Sequence, residues 1–312
     1  MAPLKTCRVG TRKSALARTQ SGWVAAQLEK RGYTCSLVDI VSHGDTDRAN
    51  PLYAIESDSP GLFCKQLEEA LLEGRIDIAV HSLKDLPTTQ PVGLYVAAIP
   101  VREVADDCLL IHPSALAQNE ILQLKHGARV GTSSLRREAQ LLDARPDLRV
   151  ESLRGNVPSR VDQVRNGILD AAVLARAGLR RLKLDLAGIS AVALDPTRFI
   201  PAPAQGALAI ETRLDAPLGL RECLAELNDS ATQTAVQIER QIMKDLEGGC
   251  TLPLGVLCSP IASGGWHVHA FLGEAKNRQE ARRDWVCYHR FDILGTDAQT
   301  LVAKTVQYFK GR

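Results

Sequence analysis

The hydrophobic pattern predicts strands that alternate with helices from the start of the chain. After Thr11, four apolar residues recur at roughly helical spacing, and the pattern ends near Gly32: Leu16, Trp23, Val24 and Leu28. The pattern next predicts a strand at 36–41, a polar loop at 42–60, a helix at 63–72 and a strand at 76–82. Strands that alternate with helices indicate a parallel sheet with helices on both faces.

Two segments of this pattern recur later in the chain, in the same order. Residues 8–11 (RVGT) are repeated letter for letter at 129–132, and 74–80 (GRIDIAV) resemble 167–173 (GILDAAV). The second segment reads in both copies as a helix that ends at glycine, followed by a buried strand. The two echoes predict two α/β lobes built on one plan.

The end of the chain follows a different pattern. Pro201 and Pro203 mark a linker, and residues 207–211 predict a strand that returns to the first lobe. After these come a capped helix from Asp229 or Ser230 to Leu246, short strands around 263–265 and a helix at 297–309. This order is typical of a small α+β domain. The predicted domains are therefore 1–103 with 202–221, then 104–201, then 222–312.

Composition adds a preference for anionic ligands. The 312-residue chain has a net charge of only +2, but it carries 27 Arg against 11 Lys. Arginine grips carboxylates bidentately, although an arginine-rich genome produces the same bias without any function. The start of the chain shows no apolar signal region, and no run is long enough to span a bilayer, which favours the cytoplasm. The eight Cys lack the spacing of a metal site or disulfide framework.

The strongest candidate anion site is the segment 131–137 (GTSSLRR), which follows a short strand and opens a helix. Free backbone N–H groups at a helix start bind anions, and serines and arginines add to this, but a solvated Ser-capped helix is an equally good interpretation. Residues 10–14 (GTRKS) are the counterpart in the first lobe. Residues 129–183 hold 12 Lys plus Arg against 6 Asp plus Glu. Nucleic acid could bind such a surface, but the aromatic residues, 4% of the chain, are not interleaved with the arginines.

Two single residues are candidates for chemistry. Asp85 lies in the segment 81–87 (HSLKDLP) at the end of a buried strand, where an ionised carboxylate could stabilise a developing cation or shuttle a proton. Cys250 follows two glycines that leave room for a bulky group. The ordinary alternatives are a solvated Lys-Asp pair and a buried thiol. His267 and His269 could share one strand face, but without a third ligand they are weak evidence for a metal.

Taken together, these segments resemble the porphobilinogen deaminase (hydroxymethylbilane synthase) family. The resemblance runs nearly end to end and rests on seven motifs in the family's order: 9–14, 77–87, 131–137, 152–156, 177–179, 205–207 and 247–250. It implies a type II periplasmic-binding-protein-like pair of lobes with mostly parallel sheets, plus a small α+β C-terminal domain. It also implies a transferase of haem biosynthesis that joins four porphobilinogen units into linear hydroxymethylbilane, releasing ammonia at each step.

The resemblance also implies roles for individual residues. A dipyrromethane cofactor would be held by a thioether at Cys250, and Asp85 would be catalytic, stabilising positive charge at the pyrrole nitrogens. The residues implied to bind the cofactor and the growing polypyrrole chain are Arg12, Ser14, Lys84, Thr132, Ser134, Arg136, Arg137, Arg154, Arg160, Arg181 and Gln205. Neither metal, nucleotide, nucleic acid nor membrane is implied as a partner, and a monomer is expected.

Three departures from the family pattern bear on this expectation. An acidic stretch at 56–60 (ESDSP) replaces a glycine-rich, lysine-containing loop, Ala204 replaces a glycine, and Pro158-Ser159 replace the usual pair before Arg160. The first departure puts in doubt the family's mobile cover over the active site and any lysine contact from that loop. A non-catalytic, two-lobed carboxylate-binding protein remains the alternative function, and binding of nucleic acid is a weaker one.

Overall fold

The computed structural model describes residues 5–40, 64–247, 252–276 and 284–311. The chain divides into two compact units, one of Met1–Glu103 with Gly206–Thr234 and the other of Val104–Gln205 with Ala235–Arg312. Among the described residues, no helix has the length and apolar character that a membrane crossing requires.

The first unit is built on a five-stranded sheet. Its strands are β1 (Lys5–Arg12), β2 (Tyr33–Ile40), β3 (Ile78–Ser82), β4 (Leu94–Ala98) and β10 (Leu208–Arg213), and its helices include α1 (Ala15–Glu29), α2 (Lys65–Leu72) and α6 (Leu218–Ala225). The order across the sheet is β2-β1-β3-β10-β4. The first three strands are mutually parallel, and β10 runs antiparallel to both of its neighbours.

The second lobe, in the other unit, repeats this arrangement. Its strands are β5 (Asp107–Ile111), β6 (Arg129–Gly131), β7 (Arg149–Glu151), β8 (Ala171–Ala175) and β9 (Ser190–Ala193), and its helices are α3 (Leu135–Ala144), α4 (Val157–Arg165) and α5 (Arg176–Leu182). The order is β7-β6-β8-β5-β9, again with three parallel strands followed by an antiparallel one.

The two sequence echoes occupy equivalent places in the two sheets. The repeated RVGT segment forms the second strand of each sheet, as β1 and β6, and the other echo leads into the third strand, β3 or β8. Gly74 and Gly167 both have a φ of +68°, the left-handed conformation that favours glycine after a helix. The prediction of two lobes on one plan is confirmed.

The predicted returning strand is also confirmed, as β10. It lies between β3 and β4, so the first sheet receives a strand that follows the second lobe in sequence. Helix α6 then packs Leu220, Cys223 and Leu224 into the core of the first unit. Residues 222–225, predicted to begin the third domain, therefore pack with the first lobe, and the division into three domains stays a prediction.

The C-terminal part contains an antiparallel sheet covered by helices. Its elements are α7 (Ser230–Asp245), β11 (Leu254–Pro260), β12 (Trp266–Ala275), β13 (Trp285–Gly295) and α8 (Ala298–Lys310). Asp229 and Asp297 accept hydrogen bonds from Thr232 N and Thr300 N, which confirms both predicted helix starts. The strands predicted around 263–265 are β11 and β12, and residues 263–265 form the turn between them, where Gly264 and Gly265 have φ of +90° and +99°.

One face of this sheet packs on the second lobe within the same unit. Leu257 and Phe271 form an apolar cluster with Ala139 and Ile200. Beside it, the Arg290 guanidinium donates to Asp143 at 2.7 Å. The opposite face packs Val268 and Ala270, both fully buried, into the core formed with α7 and α8.

Candidate active site

The Asp85 side chain is exposed on a turn whose neighbours are firmly buried. The turn is the short 3-10 helix Leu83–Asp85 at the end of β3. Leu83 and Leu86 are 1% and 2% exposed, and Leu83 N donates to Ala207 O at 3.0 Å. The Cys64 thiol donates to the Asp85 carbonyl at 3.4 Å. The chain thus presents one carboxylate to solvent from a fixed backbone.

The start of α1 lies beside this turn. Ser14 caps the helix, because its Oγ accepts from Ala17 N at 3.2 Å. Further along α1, Gln20 Nε2 donates to Ser82 Oγ at 3.0 Å. Because β1 and β3 are parallel neighbours, Arg12, Ser14, Lys84 and Asp85 all lie at the same edge of one sheet.

A buried polar pair joins β3 to β10 behind this edge. His81 Nε2 is 3.0 Å from Glu211 Oε2, and their side chains are 2% and 0% exposed. Glu68 is also buried, and burial, followed by the negative charge of Glu211, raises its pKa above the ordinary value. Neither Glu68 Oε1 nor Glu211 Oε1 has a hydrogen-bond partner among the described residues. Sequence reasoning missed both glutamates, although Glu211 interrupts an apolar strand and could have been noticed.

In the second lobe, the segment after β6 is bound to the loop after β7. Ser133 Oγ donates to Leu153 O at 2.8 Å and accepts from Leu153 N at 3.1 Å. Thr132 Oγ1 accepts from Ser134 N at 3.1 Å, and Ser134 occupies the N-cap of α3 without a side-chain capping bond. Ser133, absent from the predicted site, is the residue that fixes this loop.

Arg136 and Arg137 share one buried carboxylate. Asp107 accepts from Arg136 Nη1 at 2.8 Å and from Arg137 Nη2 at 2.7 Å, and all three residues are buried. Burial alone would raise the pKa of Asp107, but the two guanidinium charges outweigh it and hold that pKa far below its usual range. Gln205 Nε2 adds a hydrogen bond to Asp107 at 2.9 Å. Two cations against one anion leave a net positive charge, and sequence reasoning missed Asp107.

Arg160 adds to this positive charge. Burial, and then the charges of Arg137 and Arg154, lower the pKa of Arg160 to about 10. Its Nε donates to Gly155 O at 2.8 Å. Pro158 lies in the first turn of α4, where its missing N–H costs nothing. Arg137 and Arg154 are therefore each close enough to repel Arg160, whereas Arg181 lies in the last turn of α5.

Two sequence features of the predicted site lie outside the described residues. They are Cys250 and the acidic stretch 56–60. The chain before the cysteine is described as far as Glu247, which follows α7 and has a φ of +54°. Both features stay predictions.

The two lobes and their strand-edge groups define a two-lobed α/β protein with charged groups at the carboxyl ends of its parallel strands. A family model described as "Porphobilinogen deaminase, dipyromethane cofactor binding domain" matches residues 7–218. The chain belongs to the porphobilinogen deaminase family, and it has that family's transferase activity, its dipyrromethane cofactor and its place in haem biosynthesis.

Similar proteins named porphobilinogen deaminase cover most of the chain. The one from Trichlorobacter lovleyi is 44% identical over 256 residues, which are 81% of this chain and 78% of that protein. The one from Maridesulfovibrio salexigens is 43% identical over 253 residues, 80% of this chain and 79% of that protein. The one from Nitratidesulfovibrio vulgaris is 40% identical over 283 residues, 90% of this chain and 87% of that protein.

Solved structures resemble the chain more loosely. The Bordetella pertussis BvgS periplasmic VFT2 domain has a TM-score of 0.43 at 15% identity, and the match covers 73% of this chain and 88% of that one. The Salmonella typhimurium periplasmic binding protein STM4351 has a TM-score of 0.39 at 12% identity, covering 73% of this chain and 94% of that one. Family membership follows from the sequence matches.

Proposed function

We propose that Asp85 is the catalytic residue and that Cys250 carries the dipyrromethane cofactor through a thioether. On this proposal the enzyme joins four porphobilinogen units, with loss of ammonia at each step, and hydrolysis releases linear hydroxymethylbilane. The observation that carries the proposal is the excess of positive charge in the second lobe, where Arg136 and Arg137 share the one buried carboxylate of Asp107 and Arg137 also acts on Arg160. Such a cluster is stabilised by a ligand with several negative groups.

The donors present fit a polycarboxylate ligand. Each pyrrole carries an acetate and a propionate, so a growing chain accumulates negative charge. Guanidinium groups bind carboxylates bidentately, and hydroxyls and the start of α3 add hydrogen bonds. The residues proposed to hold the cofactor and substrate carboxylates are Arg12, Ser14, Lys84, Thr132, Ser134, Arg136, Arg137, Arg154, Arg160, Arg181 and Gln205.

Within this set, Arg136 and Gln205 are already bound to protein groups. Arg136 donates to Ile200 O at 2.8 Å besides Asp107, and Gln205 Nε2 donates to Ala105 O at 2.7 Å. Fixed donors lose little freedom when a ligand binds, which favours precise positioning. Their proposed role is therefore to orient a carboxylate that the more exposed cations attract.

Asp85 supplies the opposite charge. As ammonia leaves porphobilinogen, positive charge develops on the pyrrole, and a carboxylate held next to the ring nitrogen stabilises that charge. The buried anchors Leu83 and Leu86 keep the backbone of Asp85 in place, so little reorganisation is needed during the reaction. The cofactor, when attached, supplies the pyrrole carbon to which the first substrate unit is joined.

The closing experiment combines mass and turnover. The intact mass of the protein from a haem-competent host should exceed the chain mass by two pyrrole units. Cys250→Ser should lose this addition, whereas Cys287→Ser, at a partly exposed thiol on β13, should keep it. An unmodified wild-type chain would contradict the proposal.

Turnover tests Asp85 separately. Asp85→Asn should keep the wild-type unfolding temperature and the cofactor mass but lose ammonia release by roughly 100-fold or more. The matched control is Asp215→Asn, at an aspartate whose side chain is 86% exposed. Equal turnover of the Asp85 and Asp215 variants would exclude Asp85 as the catalytic residue. Ammonia release by the wild type also rules out a protein that only binds carboxylates.

The wider setting is part of the same proposal. It comprises action in the cytoplasm, a monomeric state, no nucleic-acid partner and a separate cofactor-carrying domain at 222–312. Sedimentation of the purified enzyme tests the monomer directly.

A further inference from the structure

Three side chains with metal-binding groups meet on the C-terminal sheet. His267 and His269 are two residues apart on β12 and therefore lie on the same face, and Asp292 on β13 is paired directly with His269. His267 Nε2 is 2.6 Å from Asp292 Oδ1, and His269 Nδ1 is 2.5 Å from Asp292 Oδ2. One ligand atom from each residue lies within 4.8 Å of the other two. The sequence had shown two histidines, and the fold adds the third ligand.

We propose that His267, His269 and Asp292 bind a divalent transition-metal ion, and that zinc suits the site best. Two imidazole nitrogens and one carboxylate oxygen are ligands that zinc accepts, with water in the fourth position. Around a tetrahedral zinc with bonds of about 2.0–2.1 Å, neighbouring ligand atoms lie roughly 3.3 Å apart. The present separations need to widen by less than about 1 Å, which side-chain rotation provides.

The backbone that carries these ligands is rigid. Val268 and Ala270, which alternate with the two histidines, are fully buried against the helices. Phe271, next on the histidine face, packs on the second lobe and lies 5.1 Å under the Arg290 guanidinium. A site on paired, packed strands is largely preorganised, so metal binding orders little additional chain.

The charges around the site suit a cation. Asp195 of the second lobe is close enough for its negative charge to act on His269. Its carboxylate is fixed by Thr197, whose N and Oγ1 donate to Oδ1 at 2.9 and 2.8 Å. Two carboxylates, those of Asp292 and Asp195, can balance the charge of a divalent ion.

This site does not depend on the proposed function. None of its ligands belongs to the residues proposed to hold the cofactor or substrate, so metal binding and ammonia release can be measured separately. An ion bound there joins β12 to β13 and stabilises the folded state by a free energy that grows with the logarithm of its affinity.

Zinc titration of the untagged, chelator-treated holoenzyme tests the proposal. Calorimetry should show one zinc per chain, and saturating zinc should raise the unfolding temperature. Asp292→Asn and the double variant His267→Asn/His269→Asn should weaken binding by roughly 100-fold. The control His126→Asn, at a histidine whose side chain is 90% exposed beside Asp147, should bind as the wild type does. All variants should keep turnover.

Cobalt provides a readout that needs no variant. The wild-type protein with Co²⁺ should show the visible bands of nitrogen and oxygen coordination without the near-ultraviolet band of a cobalt–thiolate bond. A thiolate band, zinc retained at full affinity by the double variant, or no binding by the wild type would each overturn the proposal.

Discussion

Asp77 accepts hydrogen bonds from both the backbone amide and the guanidinium of Arg8, at 2.8 and 2.7 Å. In the second lobe, Asp170 accepts from the Arg129 amide at 2.8 Å, and Arg129 Nε lies 3.5 Å from the same carboxylate. Each aspartate belongs to one sequence echo and each arginine to the other. The two sequence echoes therefore supply an arginine–aspartate pair in each lobe, which links β1 to the start of β3 in the first sheet and β6 to the start of β8 in the second.

Asp77→Asn should destabilise the protein at neutral pH by about 1–2 kcal/mol, since the pair is partly exposed. Burial raises the pKa of Asp77, but the hydrogen bonds and charge of Arg8 outweigh it, so the pKa is lowered. The ionised form thus stabilises the fold at pH values above 3.8, the ordinary pKa of an aspartate, and this contribution is lost as the pH falls through the lowered pKa. Urea unfolding from pH 7 to pH 2 should show the two proteins converging in acid. A constant difference across that range would argue against an ionic role.

Asp107→Asn should cost about 3–5 kcal/mol, because it leaves two buried guanidinium groups without their anion. The control is Asp162→Asn, which breaks the exposed pair with Arg165 and should cost less than about 1 kcal/mol. Calorimetric unfolding temperatures measure both. Equal losses of stability in the two variants would mean that the buried network stabilises the protein no more than an exposed ion pair does.

Glu68→Gln should stabilise the protein at pH 7. Burial, and then the negative charge of Glu211, raise the pKa of Glu68 above the ordinary value of 4.5, so the native state favours the protonated form. The associated stability is present below pH 4.5 and is lost as the pH rises through the folded pKa. The uncharged amide avoids that loss, so its advantage should grow with pH. Exposed Glu69→Gln, one residue on, should show no such trend in unfolding measured from pH 4 to pH 8.

Ala204→Gly should change stability by less than about 1 kcal/mol. Ala204 has a φ of +60°, a left-handed conformation that costs an L-residue about 1–2 kcal/mol. Glycine removes that strain, which stabilises the fold. It also loses the buried methyl, which costs about 0.8 kcal/mol, and it raises the entropy of the unfolded chain, which costs a further ~0.4–1 kcal/mol. These terms nearly cancel, which explains how alanine is tolerated where the family has glycine. Ala204→Val, β-branched at the same φ, should be clearly less stable in the same urea assay.

The sequence was most informative where the pattern is local. The glycine turns at Gly74 and Gly167, the capped helices after Asp229 and Asp297, and the returning strand all follow from short runs of residues. Strand β13 escaped prediction, because after the short apolar run 285–288 (WVCY) its polar and apolar residues follow no regular alternation, and none of its residues is fully buried. Only its pairing with β12 reveals it as part of the sheet.

Long-range electrostatics could not be predicted in the same way. Asp107 and Glu211 stand in otherwise apolar strands, and nothing near them in sequence names Arg136, Arg137 or His81 as their partners. The positions of Asp85 and the arginines at strand ends were predictable, since parallel strands place their carboxyl ends together. Whether those groups act on the substrate depends on three-dimensional contacts, and the spacing of residues in the sequence does not reveal them.

The position of β10 in the chain determines the order in which the sheets of the two lobes can be completed during synthesis on the ribosome. Its place between β3 and β4 stays open until residue 213 has been synthesised, whereas all five strands of the second lobe are available by residue 193. The lobe that emerges second can therefore close its sheet first, reversing the usual N-terminal-first order. Until β10 has been synthesised, β3 and β4 each lack the strand that pairs with them in the finished sheet. A nascent chain that stalls in this interval therefore exposes unpaired strand edges.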